Sequence, residues 1–272
     1  MSKRTASVLV CLLALGGAAA PVHAQFQTPA PSSRAIGENY HVEISGSLWD
    51  PTPQILINSE SLEGIPGSDI DFIEDLGVEK KWFRQLKVVL RPATKHKFRF
   101  EYTPIRYEAE TVIRRDLVFN GILYPVNVEV QSELTWRAFR FAYEYDFFYR
   151  DRGFIGVVLE AKYTDVEASL TSALDFEFVR ARAPIPAVGL IGRGYLLRNL
   201  SVTGEFTFFK LPEIDESYSG RYFDLDIYGT FNFIENVGVQ GGWRSFDVLY
   251  KVDNDNGDLQ LRGMYLGGVV RF

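Results

Sequence analysis

The chain is poor in the residues that staple exported domains together or run hydrolytic chemistry. In 272 residues it has one cysteine, Cys11, three histidines and two methionines. Cys11 lies in an amino-terminal leader, so no disulfide is expected in the mature chain, and a closed hydrogen-bonded sheet has to supply the stability instead. Once His23 goes with the same leader, only His41 and His96 remain. A hydrolase or acyltransferase needs a histidine beside a Ser or Asp, and neither stands in such a setting, so no catalytic residue is expected. Beyond the leader no apolar run approaches the roughly 20 residues of a membrane helix. Basic residues are also in deficit: of 29, Lys3 and Arg4 belong to the leader, and the other 27 face 35 acidic ones, a formal charge of −8. That balance argues against a nucleic-acid partner.

What is present begins with residues 1–24, where Lys3 and Arg4, an apolar run from Val8 to Leu15 and the ending Val22-His23-Ala24 read as a secretory signal peptide cut after Ala24. Cys11 sits in mid-run, so a lipid anchor is not expected. Residues 25–37 are rich in Pro, Ser and Ala and read as a flexible periplasmic lead-in. From residue 38 to Phe272 the pattern is strand alternation. The last stretch, Asp258–Phe272, sets Met264, Leu266, Gly268 and Val270 on one face and Tyr265, Gly267, Val269 and Arg271 on the other. A chain that closes on such a strand leaves no open edge if this strand pairs with the first.

The expected fold is therefore all-β: an antiparallel up-and-down transmembrane β-barrel of about ten strands, within roughly eight to twelve, as outer-membrane strands need only about 9–11 alternating residues. Outward residues in the first strand are Tyr40, Val42, Ile44 and Leu48, with His41 facing in, and Pro51 and Pro53 are expected to end it. Gln54–Asn58 reads as an excursion or an upward extension of the wall. Further outward sets are Phe98, Phe100 and Tyr102; Phe139, Phe141, Tyr143, Tyr145 and Phe147; and Phe223, Leu225, Ile227 and Phe231. Leu134 and Trp136 fall out of phase with the second of these sets, which predicts a bulge near Arg137. Long outer loops are expected at Ala109–Ser132, up to Ala183, and at Pro212–Gly220, with a hairpin turn at Asn256-Gly257. Outward aromatics form an inner girdle (Phe98, Phe147, Phe233, Phe272) and an outer one (Trp82, Trp136, Tyr163, Phe208, Phe223, Trp243).

The inward phase carries Lys87, Arg91, Arg99, Arg140, Lys162, Arg193, Arg244 and Arg271 against Glu43, Glu101, Glu144, Asp146, Glu160, Glu205, Asp224 and Asp226. A barrel of this size has an interior that side chains fill, so these groups are expected to pair across it. The expected role is structural, or interactive through the outer loops. The alternatives are a narrow passive channel for water, ions or small solutes and, third, an enzyme acting on lipid A or phospholipid. No cofactor or metal is expected. Asp253–Asp258 misses the calcium-loop pattern by one glycine position, and Asp69, Asp71, Glu74 and Asp75, with Arg114 and Arg115, read as loop charges able to meet lipopolysaccharide phosphates. The expected partners are outer-membrane lipid and lipopolysaccharide, and the barrel-assembly machinery through the final strand and its terminal Phe272.

With GSDIDFIEDLGVEKK at Gly67–Lys81, RPATKHKFRFEYTPI at Arg91–Ile105, APIPAVGLIGRGY at Ala183–Tyr195 and the terminal Phe272, the chain resembles a family of uncharacterised proteobacterial outer-membrane β-barrel proteins. The resemblance covers nearly the whole mature sequence, with the DLG of Asp75–Gly77 as its most distinctive part. It implies a barrel in the bacterial outer membrane and brings no substrate or catalytic residue with it.

Overall fold

The structure, a computed structural model, describes residues 35–58, 67–119, 121–172, 176–214, 218–252 and 255–272. The signal-peptide reading and most of the lead-in fall outside these residues, as do Asp253 and Asn254. Thirteen strands are described: β1 (Val42–Asn58), β2 (Ile70–Asp71), β3 (Phe83–Ala93), β4 (His96–Val112), β5 (Leu117–Phe119), β6 (Ile122–Tyr124), β7 (Glu129–Arg150), β8 (Gly153–Thr171), β9 (Phe176–Leu197), β10 (Leu200–Ile214), β11 (Tyr218–Asn232), β12 (Val237–Val252) and β13 (Asp255–Arg271). Ten of them form the wall, each antiparallel to the next, and β13 returns to pair with β1 from Glu43↔Arg271 to Asn58↔Asn256 without a shift. That closure removes the free edge at the height of the outward apolar residues, where each wall strand is paired on both sides.

Alternation places Ile44, Leu48, Phe100, Phe139, Phe141, Leu159, Ile227, Leu266 and Met264 on the outside, all exposed, while the charged residues between them are buried within. This is the inverse of a soluble barrel. Higher up, the two faces exchange character. Along β7 the odd residues from Phe147 to Phe139 are outward aromatics and the even ones are Asp146, Glu144, Ala142 and Arg140. Above Phe139 the odd positions become Arg137, Thr135 and Glu133, and the even ones Ala138, Trp136 and Leu134 are buried. The same exchange occurs in β4 (Tyr102 out, then Ile105 and Tyr107 in), in β1 (Leu48 out, then Trp49, Ile55 and Ile57 in) and in β13 (Met264 out, Leu261 and Leu259 in). The β4–β7 register runs unshifted from His96↔Tyr145 to Val112↔Glu129, so there is no bulge at Arg137. The loss of phase marks the height at which the outside turns from apolar to polar. Trp136 consequently belongs to the interior rather than to the outer girdle.

Several strands are longer than their apolar stripes. β1 continues through Pro51 and Pro53, both inward and buried. Val42 exchanges hydrogen bonds with Phe272, so even residues of β1 address β13 and odd ones the opposite edge. On that edge β3 ends at Trp49↔Phe83, so the N–H that each proline lacks has no strand to serve. Upper β4 and β7, upper β8 and β9, and upper β10 and β11 likewise stand as wall where loops were expected. The turn between β12 and β13 precedes Asn256-Gly257, which pair inside the hairpin with Lys251 and Tyr250. The wall is open above the short β3, between upper β1 and upper β4, and again at the seam where β9 pairs with β10 only up to Val188↔Phe208. Tyr195 N–H donates to the Arg152 carbonyl on the β8 side, so even residues of β9 face β10. Pro186 and Pro184, the next two such positions, have no N–H to offer across it.

Candidate functional site

The interior has three storeys. The lowest is a strap. Ala35 and Ile36 donate backbone N–H groups to the carbonyls of Asp151 and Arg198, the Gly37 N–H donates to Glu235, and Asn232 Nδ2 donates to the Ile36 carbonyl at 2.7 Å. The segment assigned to a flexible lead-in thus has its last residues tied across the mouth at the short-turn end. Gly37 sits at φ +88°, and a Cβ there would lie 2.7 Å from Arg271 Nη1, so glycine is required twice over. Glu38 then meets Arg193 at 2.9 Å, Tyr195 Oη at 3.0 Å and Arg91 at 3.7 Å. Tyr40 is buried beneath the Arg91 and Arg271 guanidiniums, and His41 is exposed. That reverses their expected phase, because the chain here is still crossing the mouth and has not entered the wall.

The middle storey is a continuous chain of ion pairs. Lys97 Nζ lies 2.5 Å from Glu144 and 2.9 Å from Asp146. Arg99 joins Glu144 at 2.5 Å to Glu205 at 2.8 Å. Glu205 passes to Arg140, which also holds Glu160 at 2.6 Å and Glu101 at 3.4 Å. Glu101 reaches Arg244, whose fork grips Asp224 at 2.6 and 2.9 Å, and Asp224 accepts from Lys162 at 3.2 Å. Lys87 lies 3.6 Å from Asp226, which accepts from Tyr265 Oη at 2.8 Å, and Arg271 holds Glu43 at 2.6 Å. All sixteen charged residues read from the inward phase are therefore in this interior. Lys97 and Glu38 were missed and raise the match to nine against nine. The alternation that exposes Phe98 and Phe100 would have found Lys97, whereas Glu38 lies ahead of the first strand and gave no periodic signal. Low dielectric makes an unpaired member costly, which explains the even balance.

The top storey is apolar. Lys162 marks the junction, with its ammonium 4.5 Å from the Tyr222 ring centroid and 4.3 Å from that of Phe246. Above it Trp136 packs on Phe246, ring centroids 4.7 Å apart, and donates to Thr164 Oγ1 at 2.7 Å. Ile70, Phe72, Leu76 and Val78 of the first outer excursion and Leu117, Phe119 and Tyr124 of the β5–β6 hairpin fill the mouth between the walls, all buried. The DLG segment builds part of this. Leu76 is fully buried, Gly77 takes φ +70°, and its N–H donates to the Ile73 carbonyl in the manner of an αL cap, while the Val78 N–H reaches the Phe72 carbonyl. Asp75 takes the fork of Arg115 at 2.8 and 2.6 Å, while Asp71 accepts the N–H groups of Ile73 and Glu74. The acidic loop and Arg115, read as open to lipid phosphates, are therefore engaged with each other. Burial raises the Asp75 carboxyl, but the bonds from Arg115 and the Asp71 N–H outweigh it and hold the group below the usual range.

Two polar cavities of about 20 Å³ lie inside, one under Trp136 and one beside Tyr265. Each has room for about one water, and both are lined by Glu101 and Arg244. The histidines lie at the other end. His41 Nδ1 is 3.2 Å from the Arg91 carbonyl, and His96 Nδ1 is 2.6 Å from Tyr143 Oη near the short-turn rim.

No protein-family model and no curated protein matches the chain. Among solved structures it is similar to the outer membrane protease OmpT of Escherichia coli, with a TM-score of 0.57 and 10% identity over 89% of this chain and 100% of that one. Weaker likenesses are to Ail, the attachment invasion locus protein of Yersinia pestis (TM-score 0.39, 10% identity, 85% and 99% covered), and to an outer membrane channel from Pseudomonas putida F1 (0.41, 9%, 90% and 100%). At such identities the OmpT likeness speaks to architecture alone: the chain has the fold of an outer-membrane β-barrel.

Proposed function

We propose that this protein is a closed outer-membrane barrel whose role is structural or interactive, exercised through its outer rim. The observation that carries this reading is the filling of the lumen in series: a bonded strap below, an ion-pair chain in the middle and an apolar plug above. The location is supported by the exposed belt of Phe100, Phe139, Leu159, Ile227 and Leu266 and by the aromatics at both its edges. Lipopolysaccharide and outer-leaflet lipid are its expected surroundings. The terminal Phe272, exposed beside the closing pair with Val42, is where assembly machinery would read the last strand. The test is conductance of the purified full chain in planar bilayers. A silent membrane supports the closed reading, and frequent openings of defined size defeat it.

A second reading, a narrow passive path, is favoured by one observation: Glu101 and Arg244 line both small cavities, so parting that pair would join them. Glu101→Gln should then raise water or ion flux into vesicles if the pair is a gate, and leave it unchanged if the pair is packing. The enzymatic reading has no such observation behind it. His41→Ala and His96→Ala test it, since lipid-modifying activity that depended on either residue would revive it.

A further inference from the structure

The outward wall of β3, β4, β7, β8 and β9 carries a two-part hollow that the lumen does not explain. Its lower half is a groove of about 430 Å³, lined by Leu86, Val88, Phe100, Phe139, Ala161 and Pro184. Ala161 forms its shallow floor between flanking aromatics. Directly above lies a second hollow of about 260 Å³ that shares Tyr102 with the groove and is lined by Arg106, Arg137 and Arg180 and by the carboxylates Glu133, Asp165 and Glu167, the last 3.5 Å from Arg180; Arg182 borders it through its bond to Asp165. The boundary between the two is the height at which Phe139 gives way to Arg137 on the outer face.

The carboxylates here are already committed. Asp165 accepts from Arg180 at 2.8 and 2.7 Å and from Arg182 at 3.4 Å, and Arg106 lies 3.1 Å from Glu133. These contacts hold the arginines in place without using all their donors: Arg182 meets Asp165 through Nε, which leaves both its terminal nitrogens free of that pair. Arg137 is the Cα partner of both Pro104 and Asp165, is exposed, and has no carboxylate within ion-pair distance among the described residues. A guanidinium left open beside a second one, on the rim of an acyl-sized groove, suits an anion that takes forked hydrogen bonds and carries a hydrocarbon tail.

We propose that this face binds one phosphorylated, acylated lipid of the outer leaflet, its phosphate on Arg137 and Arg182 and one acyl chain in the groove over Ala161. A phosphomonoester fits better than a zwitterionic head, because its extra acceptor oxygens can engage two guanidiniums and it brings no ammonium against them. The assignment rests on the outer-membrane reading, which places this end of the barrel away from the short turns.

The experiment uses the full chain in phosphatidylcholine nanodiscs, with lipid A titrated against dephosphorylated lipid A and bound lipid counted by native mass spectrometry. Lipid A should bind about tenfold or more tightly than its dephosphorylated form. Arg137→Ala with Arg182→Ala should abolish that preference, while Ala161→Phe, which fills the groove, should weaken both lipids and keep the preference. All three positions are outward, and heat-resistant gel mobility checks that each variant is a closed barrel. Equal binding of the two lipids, or full lipid A affinity in the double variant, would overturn the proposal. Displacement of lipid A by an equal concentration of inorganic phosphate would also overturn it, since the acyl half would then contribute nothing. Failure of the chain to insert into any bilayer would remove the outer-membrane reading and this site with it, a result distinct from insertion without preference.

Discussion

The middle and top of the barrel are built from the same strands on opposite principles. Beside the apolar belt the interior is ionic, and above it the interior is Trp136, Phe246, Leu76 and their neighbours while Arg106, Glu133 and Asp165 face outward. The lower part is held by paired charges that cannot be left single, the upper part by dispersion and exclusion of water, as in a soluble sandwich. The difference shows that one backbone register can serve two solvents if the side-chain pattern inverts where the solvent changes.

The comparison can be broken first at Arg140, which serves Glu101, Glu160 and Glu205 together. Arg140→Met should cost about 3–5 kcal/mol by stranding buried carboxylates. Adding Glu205→Gln should return part of that, as read from urea unfolding in lipid vesicles. Trp136→Ala attacks the upper half and should cost about 3–5 kcal/mol through the cavity left beside Phe246. Here no second substitution of a charge should rescue, and the same unfolding assay separates the two behaviours. A sharper probe of the inversion is a spin label walked along β7. Labels at 141 and 139 should be reached by oxygen from the bilayer and labels at 137 and 135 by a water-soluble relaxant, with the change falling between Phe139 and Arg137. The mildest effect belongs to the rim, where Arg115→Ala should cost about 0.2–1 kcal/mol, because the pair with Asp75 is half exposed. Since the folded Asp75 carboxyl lies below its unfolded value, this contribution is present above the ordinary carboxylate pKa and is lost as pH falls through the folded one. In wild type, exchange protection of the 70–78 segment should therefore drop on acidification, and in Arg115→Ala, where only the Asp71 N–H still favours the charged carboxyl, the drop should be smaller.

The closed wall and the contents of the middle storey were legible because period-two alternation assigns a face to every residue from Phe98 to Phe208 where lipid lies outside. The top was not. There, inverted faces look like a slipped strand, so the pattern of Leu134 and Trp136 reads as a bulge and Pro51 and Pro53 of β1 as the end of a strand. Proline withdraws a donor on only one edge, and which edge depends on the neighbour, which sequence does not state. The strap was hidden for a different reason: the four residues Ala35 to Glu38, which bond through their backbones across a mouth, have no periodicity to read. Loop composition likewise gave charge without partners, so the grip of Arg115 on Asp75 had to come from the structure.

The strap bears on the order of events during assembly. Its partners are the turns after β7 and β9 and, at the end of β11, Asn232 and Glu235, so the strap is not fully bonded until three hairpins stand side by side. Arg271, packed against Gly37 and bonded to Glu43 and Asn232, reaches its seat only when the final strand has docked on the first. The earliest-made part of the folded chain is therefore the last to be fastened, and a chain cut short at its far end would leave its near end loose.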